Sequence, residues 1–333
     1  MVKVLVTGAT GFVGKAVIEE LLSESYSVKA LVRQPSEFLP LIVEQVVVGD
    51  LADFNLRDFG GLVRKAFKDV DVIVHAAARA HIMNEDSSDP LAQFRKVNRD
   101  VTLLLAHLAA ESGIKRFVFL SSIKVNGENS LPGKPFKPDD SNIPDDPYAL
   151  SKYEAEQGLL SMAKETEMEV VIIRPPLVYG PGVKGNFNSI MKWANMPLPL
   201  PFGAIHNRRS LVALDNLVSL VNLCVNRENS FKAANQVLLI SDCNDISTTQ
   251  LFEKVRQVLD YRFKFVSKAW LLPVPVCILI FLLKVLGKAE ISKRLIGSLQ
   301  VDNSKTNELL GWKPVVSMDE QLEKMSADFK KMN

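Results

Sequence analysis

The turn TGATGFVG, residues 7–14, constrains this chain more than any other stretch. It closes the short apolar run VKVLVTG (2–8) and opens a helix-like pattern from Phe12 to Leu22. Its glycines fall at positions 8, 11 and 14. Gly8 makes the tight turn, and Gly11 lets backbone approach a diphosphate seated on the free N–H groups of the helix start. Gly14 lets the helix pack close on the strand. Thr10, Phe12 and Val13 share the loop and count with the glycines as cofactor contacts. A strand, this loop and a helix in succession predict the start of a dinucleotide-binding βαβ unit.

The following segments continue the alternation. SVKALVR (27–33), VEQVVVGD (43–50), VDVIVHAAA (70–78) and IKRFVFLSS (114–122) read as strands, with helical stretches between them, notably 90–112. Near-continuous apolar strands alternating with helices predict a parallel sheet covered on both faces. Its ligands belong beyond the carboxyl ends of the strands. The residue ending the second strand should read the adenosine ribose. It is Arg33, not an acid, which favours NADP(H), with NAD(H) as the alternative. Asp50, after the third strand, is placed to accept from the adenine amino group.

DPYALSK (146–152) sets Tyr148 four positions before Lys152, on one helical face. With TGATGFVG, GDL (49–51), HAAA (75–78), SS (121–122), YALSK (148–152) and RPPLVYGPG (174–182), the chain resembles the extended short-chain dehydrogenase/reductases. Within them it is similar to the nucleotide-sugar branch, the UDP-glucose 4-epimerases and the UDP-N-acetylquinovosamine-type 4-keto reductases. The resemblance implies a Rossmann-type, doubly wound parallel sheet of α/β class, followed by a smaller, mixed and mostly helical C-terminal substrate domain. It implies Ser122, Tyr148 and Lys152 as the catalytic group. Leu51, Ala76, Ala77, Ala78, Asn98 and Pro175 join Tyr148 and Lys152 as further cofactor contacts. A free phenol ionises near pH 10, and a nearby ammonium favours phenolate, so Tyr148 can exchange a proton with a sugar oxygen.

Some positions depart from the family pattern. Asn126-Gly127 replaces a Tyr-Gly pair, Lys124 replaces a small polar residue, and Val101 replaces a glycine. Lys124 and Asn126 are expected to border the sugar. Asn186, Arg208 and Arg294 are the expected diphosphate and nucleotide contacts. The reaction read from this set is hydride transfer at C4 of a UDP-hexose or hexosamine, best as reduction of a UDP-4-keto-6-deoxy-N-acetylhexosamine. The alternatives are a UDP-glucose or UDP-N-acetylglucosamine 4-epimerase, and a catalytically silent NADP-binding redox sensor.

Composition narrows the remainder. The formal charge of +2 calls for no nucleic acid. Cys224, Cys243 and Cys277 lack metal or disulfide spacing, so no metal site is expected. The start, MVKVLVTG, runs straight into the turn without a cleavable leader, which predicts a cytoplasmic protein. The wholly apolar AWLLPVPVCILIFLL (269–283) is too short to span a bilayer and is expected to be a buried or half-buried helix, with peripheral membrane contact as the alternative. Residues 1–180 form the expected cofactor domain, with a strand near 208–214 and a helix at 215–226 returning to it, and 181–333 the substrate domain. A homodimer through the helices near 90–112 and 147–167 is expected from the resemblance.

Overall fold

The computed structural model describes residues 2–50, 56–79, 89–140, 142–259, 271–285, 287 and 289–332. The chain enters through β1 (Lys3–Thr7), α1 (Phe12–Ser23), β2 (Ser27–Val32) and β3 (Glu44–Val47). It returns through α2 (Leu56–Ala66) to β4 (Val72–His75). The expected helix over 90–112 runs without a break through α3 (Pro90–Arg95), a π-helical turn (Lys96–Val101) and α4 (Thr102–Glu111). Then follow β5 (Arg116–Leu120), α5 (Pro147–Glu165), β6 (Glu169–Arg174) and β7 (Leu177–Tyr179). The rest comprises α6 (Asn186–Ala194), β8 (Leu211–Ala213), α7 (Leu214–Val225), β9 (Gln236–Leu239), α8 (Thr248–Leu259), α9 (Val276–Val285), α10 (Ala289–Ile296), α11 (Ser304–Leu310) and α12 (Met318–Met332).

Seven strands form one parallel sheet in the order β3-β2-β1-β4-β5-β6-β9. Val6 of β1 pairs with Ala30 on one side and Val74 on the other. From β1 the chain winds outward to β3, then restarts at β4 and winds the other way. The strand order therefore reverses between β1 and β4, where such sheets form their ligand crevice. Every residue of β4 and β5 is buried, because helices cover both faces. One core joins the sheet to α1 and α7, with Val17, Leu21, Leu217 and Val221 within it. The other joins it to α2, α4 and α5, through Val63, Leu105, Ala155 and Leu159.

Two expectations shift and a third holds. The strand near 208–214 is β8, and it pairs with β7 in a separate two-stranded ladder instead of entering the main sheet. Helix α7 does return to pack on α1. The outermost strand of the main sheet is β9, which arrives from well beyond residue 180. The C-terminal helices α6, α8, α9, α10 and α12 share a third core around Phe187, Phe202, Phe252 and Leu322.

The apolar stretch 269–283 runs into helix α9. Residues 269 and 270 lie outside the described residues. Pro273 and Pro275 precede helix α9, and the Pro275 carbonyl accepts the first helical N–H bonds, from Ile278 and Leu279. Leu279 of α9 is buried and Val276, Ile280 and Leu283 are partly so, which makes the helix half-buried with one face left exposed. The cause is geometric, since α9 meets the third core along one edge and nothing described covers its outer side. No helix among the described residues is long and apolar enough to cross a membrane.

Candidate active site

The glycine loop is built for close approach. Gly8 has φ +66°, and a Cβ there would lie 2.6 Å from the Ala77 nitrogen. A Cβ on Gly14 would lie 2.2 Å from the Gly8 carbonyl oxygen, which only a hydrogen can avoid. The Gly11 N–H donates to Gly8 O at 2.9 Å and tightens the turn. Helix α1 starts at Phe12 with Gly11 as its N-cap and no side chain capping it. Its first-turn N–H groups are thus open to an anion at the positive end of the helix dipole. This uncapped helix beside a backbone cradle that excludes a Cβ fits the diphosphate of a dinucleotide. Thr10 and Gly11 are exposed at its rim, with Phe12 and Val13 half-buried beside it. Ala76, Ala77 and Ala78 leave the end of β4 opposite Gly8, and Ala77 N donates to Thr7 Oγ1 at 3.2 Å.

At the far edge β2 stops at Val32, leaving Arg33 exposed. Its Nη1 lies 3.7 Å from Asp50 Oδ2. The two residues expected at the adenosine therefore face each other across β2 and β3. Leu51 lies outside the described residues.

Helix α5 carries the phenol and the ammonium. Asp146 caps it, accepting from Ala149 N at 2.9 Å, with Pro147 at the first turn. Tyr148 follows at the helix mouth, its ring edge-on to Phe94 at 5.9 Å. Burial pushes the phenol up to about 12; a hydrogen bond with Ser122 works against this and the Asp146 carboxylate adds to it. Ser122 caps the short turn after β5, accepting from Lys124 N at 3.2 Å. Ile123 N donates to Pro175 O, which ties that turn to the end of β6. One helical turn on from Tyr148, Lys152 is 1% exposed. Its Nζ donates to Leu120 O at 2.9 Å and lies 4.4 Å from the Phe119 ring centre. Burial lowers the ammonium to about 7, and Glu156 pulls it back up. Ser122, Tyr148 and Lys152 are thus gathered at the carboxyl end of β5.

Behind them lies a buried polar frame that sequence reasoning missed. Glu156 is fully buried, accepts from Ser121 Oγ, and takes Arg174 Nη2 at 2.5 Å and Nε at 3.0 Å. Arg174 Nη1 donates to Asn126 Oδ1 at 3.0 Å and to Pro138 O at 3.2 Å. The signal was present, since 148, 152 and 156 continue one helical face. His75 is the second omission. Its Nδ1 lies 2.8 Å from Thr7 Oγ1 and its Nε2 3.0 Å from Thr102 Oγ1. Thr102 Oγ1 already donates to Asn98 O, so Nε2 carries the proton and Nδ1 accepts from Thr7. Burial, then the Lys152 charge, hold His75 neutral by lowering it to about 3.

The expected substrate positions divide. Lys124 reaches Glu128 at 3.2 Å and Asp146 at 3.5 Å, beside Ser122. Asn126 is 1% exposed, and its Nδ2 donates to Lys137 O at 2.7 Å. Both ends of its amide are engaged inside the protein, so it braces Arg174 where a sugar contact was expected. Asn98 is fully buried too, bonding the Arg79 backbone and Ser151 Oγ, and so joins the end of β4 to α5. Asn186 is the exposed first residue of α6. Arg208 is exposed, with its backbone fixed to Ser298 Oγ and Leu299 N. Arg209, its neighbour, is half-buried and donates to the carbonyls of Arg294 and Gly297 at 2.7 and 3.0 Å. That staple brings the segments of Arg208 and Arg294 together, and leaves Arg208 as the outward-facing guanidinium of the pair at 208 and 209.

Comparison with known proteins gives this arrangement its place. Residues 4–237 match the NAD dependent epimerase/dehydratase family. A UDP-glucose 4-epimerase of Vibrio cholerae is 44% identical over 99% of this chain and 96% of its own. An N-acetyl-alpha-D-glucosaminyl-diphospho-ditrans,octacis-undecaprenol 4-epimerase of Escherichia coli O157:H7 is 29% identical over 77% of this chain and 72% of its own. The crystal structure of UDP-glucose 4-epimerase with UDP-glucose from Thermotoga maritima superposes with a TM-score of 0.76 over 99% of both chains at 22% identity, a likeness of fold. The chain belongs to the NAD dependent epimerase/dehydratase family, the extended branch of the short-chain dehydrogenase/reductases, and is an enzyme of that family.

Proposed function

We propose that the enzyme inverts C4 of a UDP-linked hexose or N-acetylhexosamine, oxidising the C4 hydroxyl to a ketone and returning the hydride to the opposite face. The convergence of Ser122, Tyr148 and Lys152 at the crevice carries this reading, and the extensive identity to the Vibrio cholerae epimerase supports it. The bound nicotinamide would supply the hydride acceptor and, when oxidised, a positive charge beside the phenol. Ser122 would hold the C4 oxygen, and Tyr148 would take its proton at the phenol oxygen and give it back after the ketone turns over. Lys152, anchored at Leu120 O, would offer its remaining N–H bonds to the cofactor ribose and favour the phenolate. Arg208, Arg294 and Asn186 would hold the diphosphate and nucleotide, with Lys124 at the sugar. Gly8, Gly11, Gly14 and the α1 N-terminus would hold the dinucleotide. A homodimer through α4 and α5 is part of this reading.

The family points to NAD(H), and Arg33 extends the choice to NADP(H). If Arg33 receives a 2′-phosphate, Arg33→Ala weakens NADPH binding by about tenfold and leaves NADH nearly unchanged, as measured by fluorescence titration. Net reduction of a UDP-4-keto-6-deoxy-N-acetylhexosamine with NADPH is the same chemistry stopped halfway. A second reading concerns the carrier. The Escherichia coli relative acts on an undecaprenyl-diphosphate sugar, and the exposed apolar helix α9 favours a lipid-linked substrate here as well.

Three incubations separate these outcomes. The protein receives UDP-glucose and UDP-N-acetylglucosamine without added cofactor, the 4-keto sugar with NADPH, and undecaprenyl-diphospho-N-acetylglucosamine in detergent. Interconversion of C4 epimers in the first supports the proposal. Turnover confined to the second makes the enzyme a reductase, and turnover confined to the third fixes the lipid carrier.

A further inference from the structure

Helix α9 inverts the usual burial pattern. Nine of its ten residues, VCILIFLLKV, are apolar, yet only Leu279 is buried. Ile278, Phe281, Leu282 and Val285 are 48%, 66%, 48% and 69% exposed, and Leu272, just before the helix, is 45% exposed. Side chains of this kind on one contiguous outer face mark an interaction surface. A helix of ten residues is roughly 15 Å long, about half the hydrocarbon thickness of a bilayer, so it can lie on a membrane but not cross one.

Charge decides the occupant. The stretch 261–289 holds Arg262, Lys264, Lys268, Lys284 and Lys288 and no acidic residue. The rest of the chain is net acidic, with 35 of its 40 basic residues against all 38 acidic ones. Lys284, the one charged residue of α9, is exposed beside the apolar face. A second copy docked on α9 would add a second Lys284 to the same contact and no acidic partner from the helix, which opposes self-association there. Anionic headgroups would meet Lys284, in a stretch whose sequence is net positive, while the apolar side chains enter the acyl boundary.

We propose that α9 docks the enzyme on an anionic lipid bilayer, lying in the interface with Ile278, Phe281, Leu282 and Val285 inward. The placement links this surface to the candidate site. Leu272 exchanges backbone hydrogen bonds with Leu200 and Gly203, and Leu279 shares a core with Phe202 and Ile205. Those residues lead directly into Asn207 and Arg208, and Asn207 Nδ2 donates to the carbonyls of Leu295 in α10 and Gly297 just after it. Docking through α9 therefore brings the candidate diphosphate grip close to the membrane surface.

The test uses full-length protein and vesicles of phosphatidylethanolamine containing roughly a quarter phosphatidylglycerol, a mixture that carries negative surface charge. Flotation should carry the protein upward with these vesicles and much less with pure phosphatidylcholine. Phe281→Glu with Val285→Glu should lower the bound fraction at least about tenfold, since charge on the inserted face opposes burial. Lys284→Glu should give a smaller loss that raised salt masks. Both sets of variants should turn over the soluble sugar nucleotide as the wild type does. In a Cys243→Ser background, Cys277 on α9 is the one exposed thiol. An environment-sensitive fluorophore there should shift to the blue when vesicles are added. Wild type that stays below the vesicles overturns the proposal, as does a double variant that floats normally. A wild-type dimer in sedimentation that the double variant dissolves, without vesicle binding, assigns the face to a second copy and also overturns it. The vesicles hold no sugar, so this result stands or falls apart from the choice of substrate.

Discussion

Helices α5 and α9 break the ordinary rule of burial in opposite directions. Helix α5 buries Lys152 and Glu156, and each charge finds a partner: Leu120 O for one, Arg174 and Ser121 for the other. Helix α9 leaves Phe281 and Val285 about two-thirds exposed. A buried charge is kept only where neighbours hydrogen-bond it, and an exposed apolar face persists only where something outside the chain gains from it. The first departure lies beside the candidate site, and the second forms the face proposed to dock on a membrane.

The contrast can be broken in steps. Tyr148→Phe removes the proton-carrying atom and nothing else of size, so turnover should fall by about three orders of magnitude or more while cofactor titration is nearly unchanged. Retention of more than a few per cent of activity would take Tyr148 out of the chemistry. Glu156→Gln strands Arg174 as a buried, half-paired cation, and denaturant unfolding should register a loss of about 3 kcal/mol. If stability stays within experimental error, the buried frame behind α5 is dispensable.

His75 sharpens the comparison through pH. Its folded value lies near 3 against an ordinary 6.5, so below pH 6.5 the unfolded chain binds a proton that the folded one refuses. Stability should therefore fall as pH drops from 6.5 toward 3, by about 1.4 kcal/mol per unit from this group alone. His75→Gln keeps hydrogen-bonding capacity and should flatten that slope, as read from unfolding midpoints across the range. The smallest effect belongs to α9. Phe281→Ser should change stability by less than about 0.5 kcal/mol, because little of the ring is packed. A large loss would mean that the helix face belongs to the core after all.

The sequence spelled out the parts whose causes are local. The spacing of Gly8, Gly11 and Gly14 needs only one turn to act, and the alternation of apolar runs with helices announces the parallel sheet. Tyr148 and Lys152 lie on one helical face, and the cap at Asp146 follows from its neighbours. What escaped reading depends on distant partners. The short β9 carries no pattern that would send it to the edge beside β6. Asn126 looked like a sugar contact because its role depends on Arg174, 48 residues away. The run at 269–283 is apolar in every position, so no periodicity shows which face of α9 is left outside.

The bond from Lys152 Nζ to Leu120 O has a further consequence. A lysine on an open surface samples many rotamers, and fixing it costs up to about 2 kcal/mol of rotational entropy. In this chain the side chain is immobilised as the protein folds, so a ligand meets an ammonium already aimed. Its two remaining N–H bonds have directions set by the main chain of β5. Association should therefore show a smaller entropic penalty at this residue than at Arg208, whose side chain still has to be gathered in from solvent.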